Sequence, residues 1–166
     1  MTTANLTLEL LTKSDFEEVL TLLLEPDMFK YIKTHQDKSA AYHLKFLELK
    51  LKQISNGGGY YWLARDSAEN LVGAINLTPI SATDQVQIGW LIKSEFRGMG
   101  YAYESAKSVL DFGIKKTNFN PIYGVFEAEN VASEKILEKL DFKFHESFLE
   151  AEVLIKKYIF QVQNEF

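Results

Sequence analysis

Val86-Gln87-Ile88-Gly89-Trp90-Leu91-Ile92, followed by Phe96-Arg97-Gly98-Met99-Gly100-Tyr101-Ala102-Tyr103-Glu104-Ser105-Ala106, is the stretch that decides the fold. The first run alternates or is wholly apolar, as a half-buried or central strand is. In the second, Ala102, Ala106, Val109, Leu110 and Gly113 fall at i, i+4, i+7, i+8 and i+11, one stripe of a helix running to about Lys116. Between strand and helix, Gly98 and Gly100 let backbone amides approach a ligand with no Cβ in the way. The helix start adds unpaired N–H groups and a positive dipole end. Such a turn suits phosphate or pyrophosphate. A nucleotide P-loop would need Gly, four residues and then Gly-Lys-Ser/Thr, which the chain lacks. A dinucleotide fingerprint would need a small third residue, where this chain has Tyr103.

Outward from that turn, the elements follow one another without a linker or repeat, predicting one domain over residues 1–166. Leu6 to Leu10 alternates and predicts the first strand. Ser14-Asp15-Phe16-Glu17 reads as a capping box opening a helix through about Leu24, ended by Glu25-Pro26. Ser39 caps a second helix, with Ala40, Leu44, Leu47, Leu51 and Ile54 as its seam and Gly57-Gly58-Gly59 as its stop. Tyr60 to Arg65, Leu71 to Leu77 and Gln85 to Ile92 predict three successive antiparallel strands. After the glycine turn and its helix come a strand from Ile122 to Glu127 and a helix from Val131 to Leu140. Two strands complete the chain, near Lys143 to Phe148 and Ala151 to Val162. The predicted order is β-α-α-β-β-β-α-β-α-β-β, an α/β (α+β) fold.

Composition narrows the chemistry. A chain of 166 residues buries roughly two-thirds of its unfolded surface around one core. It has no cysteine, so disulfides, cysteine-ligated zinc and a cysteine nucleophile are excluded, and transfer through an enzyme thioester with them. The start lacks a basic segment followed by an apolar run, and no segment approaches about 18 uninterrupted apolar residues, so a cytoplasmic protein with no membrane partner is expected. A net charge of −5 argues against a nucleic-acid partner and permits a cationic one.

Arg97-x-x-Gly100-x-Ala102 resembles the Arg/Gln-x-x-Gly-x-Gly/Ala signature of the GNAT N-acetyltransferases, whose loop holds the pyrophosphate of acetyl-CoA. The element order is also that family's, so the resemblance covers nearly the whole chain and implies a mixed, mostly antiparallel seven-stranded sheet flanked by helices. Asn130 and Ser133, with Asp141-Phe142 downstream, resemble the Asn-x-x-Ser…Gly-Phe segment of the RimJ/RimL-like branch. Leu24 to Ile32 and Gln87 to Ile92 are similar to that branch as well. This chain departs from the branch at Asp141, where glycine is usual, and at Glu9, where arginine is common.

The resemblance implies direct transfer of acetyl from acetyl-CoA to a primary amine, with no metal. Backbone groups of Leu91, Ile92 and Lys93 would hold the pantetheine arm. Arg97, Gly98, Met99, Gly100, Tyr101 and Ala102 would hold the pyrophosphate, and Asn130 would reach the pantetheine region. Asparagine is also a favoured N-cap, and both roles are compatible. Ser133 matches the serine proposed to protonate the departing thiolate. The tyrosine that many relatives use instead falls at Leu137. Glu152, ten residues after Phe142, matches a carboxylate proposed as base, although a strand glutamate is equally well explained as solvated. His35 and His145 are the other candidates. The branch resemblance favours the α-amino group of a protein or peptide as acceptor. A polyamine, amino sugar or amino acid, or a non-catalytic acyl-CoA sensor, stays open. The aromatic run from Tyr158 to Phe166 would cover the sheet or a second subunit, so a homodimer is also open.

Overall fold

The computed structural model describes residues 1–162, and Phe166 of the terminal aromatic run lies outside them. Seven strands, β1 Thr7–Leu10, β2 Tyr60–Arg65, β3 Leu71–Pro79, β4 Val86–Ile92, β5 Ile122–Glu127, β6 Lys143–Glu150 and β7 Val153–Phe160, form one sheet in the order β1-β2-β3-β4-β5-β7-β6. Four helices flank it: α1 Phe16–Leu23, α2 Ala40–Ser55, α3 Tyr101–Lys116 and α4 Val131–Lys139. The predicted order of elements is the observed one.

The sheet has a core on each face. Strand alternation in β2 divides them, since Trp62 and Ala64 join Ile75, Val109, Leu110, Ile122 and Leu137 under α3 and α4. Tyr61 and Leu63 point the other way, with Val19, Leu22 and Leu47 of α1 and α2. Gly124 lets α4 sit close to β5, because a Cβ there would lie 2.5 Å from the Leu137 side chain.

One pairing differs in kind from the rest. β4 and β5 run parallel and align only at Val86 with Ile122 and Gln87 with Tyr123, whereas β3 and β4 align over seven residue pairs. Beyond Gln87 the two strands diverge and leave a gap in the middle of the sheet.

Three local expectations are corrected. The first cap is not Ser14 with Glu17. Asp15 Oδ2 accepts from Thr12 N and Thr12 Oγ1, each at 2.7 Å, and a 3-10 turn over Lys13–Asp15 leads into α1. The seam of α2 keeps Leu47, Leu51 and Ile54 against the core, but Leu44 is 37% exposed and His43 is buried in its place, because the His43 ring stacks on Phe29 with centroids 5.3 Å apart. The last strand starts at Val153 rather than Ala151, since Ala151 and Glu152 take φ of 46° and 67° and form the two-residue turn between β6 and β7.

Candidate active site

The gap between β4 and β5 opens into a cleft of about 610 Å³. Trp90, Leu91 and Ile92 of β4 form its floor, and Asn130, Ser133 and Ile136 of α4 form one wall. Arg97, Gly98, Gly100, Tyr101 and Ala102 close the end where β4 turns into α3. Asp27, Met28 and Tyr31, from the loop between α1 and α2, complete it.

The glycine turn is built for exposed amides. Gly98 and Gly100 hold φ of 76° and 83°, a region that L side chains disfavour, and no protein atom lies within 4 Å of where a Cβ would sit on either. The first i to i−4 bond of α3 is Glu104 N to Gly100 O at 3.0 Å, so the amides of Tyr101 to Tyr103 precede the helical ladder. The one carboxylate in that turn, Glu104, is turned away and accepts from Asn5 N at 2.7 Å and Asn5 Nδ2 at 2.9 Å. Burial raises the Glu104 pKa, but the hydrogen bonds from Asn5 and Thr3 outweigh it and hold the group ionised below the usual carboxylate range. Positive dipole and free amides therefore face the cleft.

Arg97 has a structural duty as well. Its Nε donates to Ile92 O at 3.1 Å, tying the turn to the last carbonyl of β4. Lys93 donates its backbone N–H to Val72 O at 2.9 Å and does not line the cleft. Met99 sits at the tip of the turn, 59% exposed, and does not line it either.

On the opposite wall, Asn130 Oδ1 accepts from Ser133 N at 3.2 Å and caps α4. Ser133 is in the first turn, lines the cleft, and its hydroxyl has no partner among the described residues. The next residue fixes that turn, because Glu134 Oε1 accepts from Lys156 Nζ at 2.7 Å and from Tyr158 OH at 2.6 Å. The hydrogen bond to Glu134 pushes the Tyr158 phenol up to about 12, while Lys156 and Tyr158 hold the Glu134 carboxyl below its ordinary range. Leu137 is buried in the core against Gly124, so the position of the alternative tyrosine does not face the cleft.

Glu152 is not brought to these residues. It lies in the exposed turn between β6 and β7, outside the lining of the cleft. His145 is on β6, with its ring 5.7 Å from that of Tyr123. His35 lines a smaller cavity of about 200 Å³ behind the α1–α2 loop, together with His43. Burial lowers the pKa of both histidines, keeping them neutral at pH 7.

Asp27, Met28 and Tyr31 line the cleft from a loop with no regular pattern in the sequence. The stretch from Leu24 to Ile32 resembles a family region, but nothing in one sequence shows a loop folding across a strand gap. Asp27 takes φ of 60°, a left-handed conformation that aspartate visits more readily than most side chains.

The acetyltransferase (GNAT) domain family matches residues 5–143. The uncharacterised N-acetyltransferase YnaD of Bacillus subtilis is 29% identical over 70 residues, covering 42% of this chain and 41% of that protein, so the match spans less than half of its length. The fold is similar to that of the spermidine N-acetyltransferase of Vibrio cholerae, solved with CoA and spermine, at TM-score 0.78 and 21% identity over 94% of this chain and 95% of that one. It is also similar to RimL, the ribosomal L7/L12 α-N-protein acetyltransferase, solved with coenzyme A, at TM-score 0.84 and 15% identity over 96% of each chain.

Proposed function

The chain belongs to the GNAT acetyltransferase family, and we propose that it moves acetyl from acetyl-CoA directly to a primary amine, the α-amino group of a protein or peptide. The observation that carries this reading is the gap between β4 and β5, bordered by the amides of the Gly98–Gly100 turn and by Ser133. Pantetheine is an extended amide chain, and it can take the place of a strand beside Leu91 and Ile92, with its pyrophosphate on the start of α3. Asn130, with Oδ1 engaged in the cap, keeps its Nδ2 donors for the pantetheine carbonyls.

In the chemical step the neutral amine attacks the thioester carbonyl. An oxyanion forms, the C–S bond breaks, and the thiolate takes a proton from the Ser133 hydroxyl, which regains one from solvent as the amine gives up its own. Strand amides facing the gap lack a β5 partner and are suited to polarising the carbonyl. An α-amine with a pKa near 8 is about one-tenth neutral at pH 7, so its proton can leave to water. Asp27, which lines the cleft, is the carboxylate placed to receive it, and Glu152, on its exposed turn outside the lining, is the alternative.

Charge favours a monoamine over a polyamine. The α1–α2 loop carries Glu25, Asp27 and Asp37 against Lys30, Lys33 and Lys38, a balance that offers no excess of carboxylates to several ammonium groups. The test is release of CoA thiol from acetyl-CoA with peptides of varied N-terminus, spermidine and aminoglycosides. Turnover with peptides supports the reading, turnover with spermidine alone replaces the acceptor, and CoA binding with no turnover makes the protein a sensor.

A further inference from the structure

Among the described residues β6 pairs with β7 alone, so its other side is an open edge of the sheet. All eight residues of β6 are exposed. Phe144, Phe148 and Leu149, with Leu154 beside them on β7, put large apolar side chains into solvent, Leu149 at 73%. The opposite edge offers less, because β1 has four residues and carries a bridge between Thr2 and Thr7. A long open edge bearing apolar side chains is a template for another strand.

The bulge in β6 decides which strand fits. Phe144 aligns with Tyr158 and Glu146 with Lys157, which are neighbours on β7, so His145 and Glu146 share one place in the ladder. Both face Tyr123. The His145 ring lies 5.7 Å from the Tyr123 ring, and Glu146 accepts from Lys157 Nζ, itself 4.5 Å from the Tyr123 centroid. Counted in this way, β6 has Ser147 at its centre, with three places on either side. A half-turn about Ser147 sets Lys143 opposite Glu150 of a second copy, Phe144 opposite Leu149, and the His145–Glu146 place opposite Phe148. Strand alternation keeps each pair on one face, Phe144 and Leu149 on the α4 side with Tyr158 and Leu154. Opposite charges meet at both ends, apolar side chains meet between them, and no like charges are opposed. We propose that the β6 edge docks a second copy of this chain, antiparallel and in register about Ser147, so that two seven-stranded sheets become one.

The chain has no cysteine, so a single introduced thiol reports the register. Directly opposed residues on antiparallel strands have Cα atoms about 4.5 to 5.5 Å apart, within disulfide reach, and Ser147 is the position that faces its own copy. Sedimentation of the full chain is expected to give a dimer. Mild oxidation is expected to link Ser147→Cys to its copy and to leave Leu149→Cys, exposed but opposed to Phe144, unlinked. Glu150→Lys sets like charges together at both ends and is expected to weaken the dimer about tenfold, and adding Lys143→Glu to it restores the wild-type affinity. All these positions are exposed, and thermal melts report that each variant is folded. A monomer at every concentration, a dimer indifferent to Glu150→Lys, or linkage of Leu149→Cys in preference to Ser147→Cys overturns the proposal.

Discussion

The Oδ1 of Asn130 accepts the backbone N–H of Ser133 at 3.2 Å, so the cap of α4 and the proposed acid are a single local unit. The bond fixes the backbone that carries the hydroxyl while leaving the hydroxyl unengaged. Ser133→Ala is expected to lower kcat by about 10- to 100-fold with CoA affinity nearly unchanged. Asn130→Ala also loses about 1 kcal/mol of stability with its cap. Steady-state kinetics beside thermal melts checks the pair, and equal turnover of Ser133→Ala and wild type removes the serine from the mechanism.

Recognition of pyrophosphate by amides predicts a hierarchy in the glycine turn. Gly100→Val forces a branched side chain to φ of 83° and is expected to weaken CoA binding by about 100-fold or more. Arg97→Ala removes one guanidinium and its bond to Ile92 O, and is expected to weaken binding about tenfold. Titration calorimetry orders the two, and the reverse order would mean that the guanidinium dominates.

The two carboxylates offered for the amine proton differ in position, and substitution separates them. Asp27→Asn alters the cleft wall and is expected to reduce kcat/KM several-fold. Glu152→Gln acts on an exposed turn and is expected to change kcat/KM by less than about twofold. A larger loss at Glu152 would make that turn part of the acceptor site.

Asp141 occupies the left-handed position after α4, with φ of 66°. Its N–H bonds Glu138 O at 3.0 Å, and Phe142 N bonds Leu137 O at 3.0 Å, the pair of bonds that closes a helix in this way. Asp141→Gly is expected to stabilise the protein by about 0.5 to 1 kcal/mol and raise Tm by a few degrees. A scan of both proteins in one buffer decides it.

Lys50 is buried on α2 beside Phe46, and burial lowers its pKa to about 8. The folded state therefore binds its proton less tightly than the unfolded state. The penalty is present in full below pH 8 and is relieved as pH rises towards 10.5. Lys50→Met is expected to add about 1 to 3 kcal/mol at pH 7 and to flatten this alkaline rise. Urea melts at pH 7 and pH 9.5 measure both, and parallel curves for the two proteins would contradict it.

Much of this fold is written as periodicity. The glycine turn, the Ser39 cap and the alternating strands are local features, and Ser39 Oγ does accept from Tyr42 N at 3.2 Å. What escaped depends on distant partners. His43 displaces Leu44 from the buried face because Phe29, in a loop without regular pattern, offers it a ring. Glu152 reads as strand, but the turn that reverses β6 onto β7 has to fall somewhere, and two left-handed residues there end the ladder early. The cleft follows the same division. Gly98, Gly100, Asn130 and Ser133 are legible as motifs, whereas Tyr103 and Ile136, on different helices, come to line one cleft only after folding.

The two residue pairs that join β4 to β5 make the sheet two smaller sheets sharing a short seam, one of four strands and one of three. Whatever fills the gap supplies the hydrogen bonds that the seam lacks, so a bound donor acts mechanically as a missing strand. Occupancy should then be visible with no acceptor present, as a higher melting temperature and slower amide exchange along Ile88–Ile92 and Gly124–Glu127.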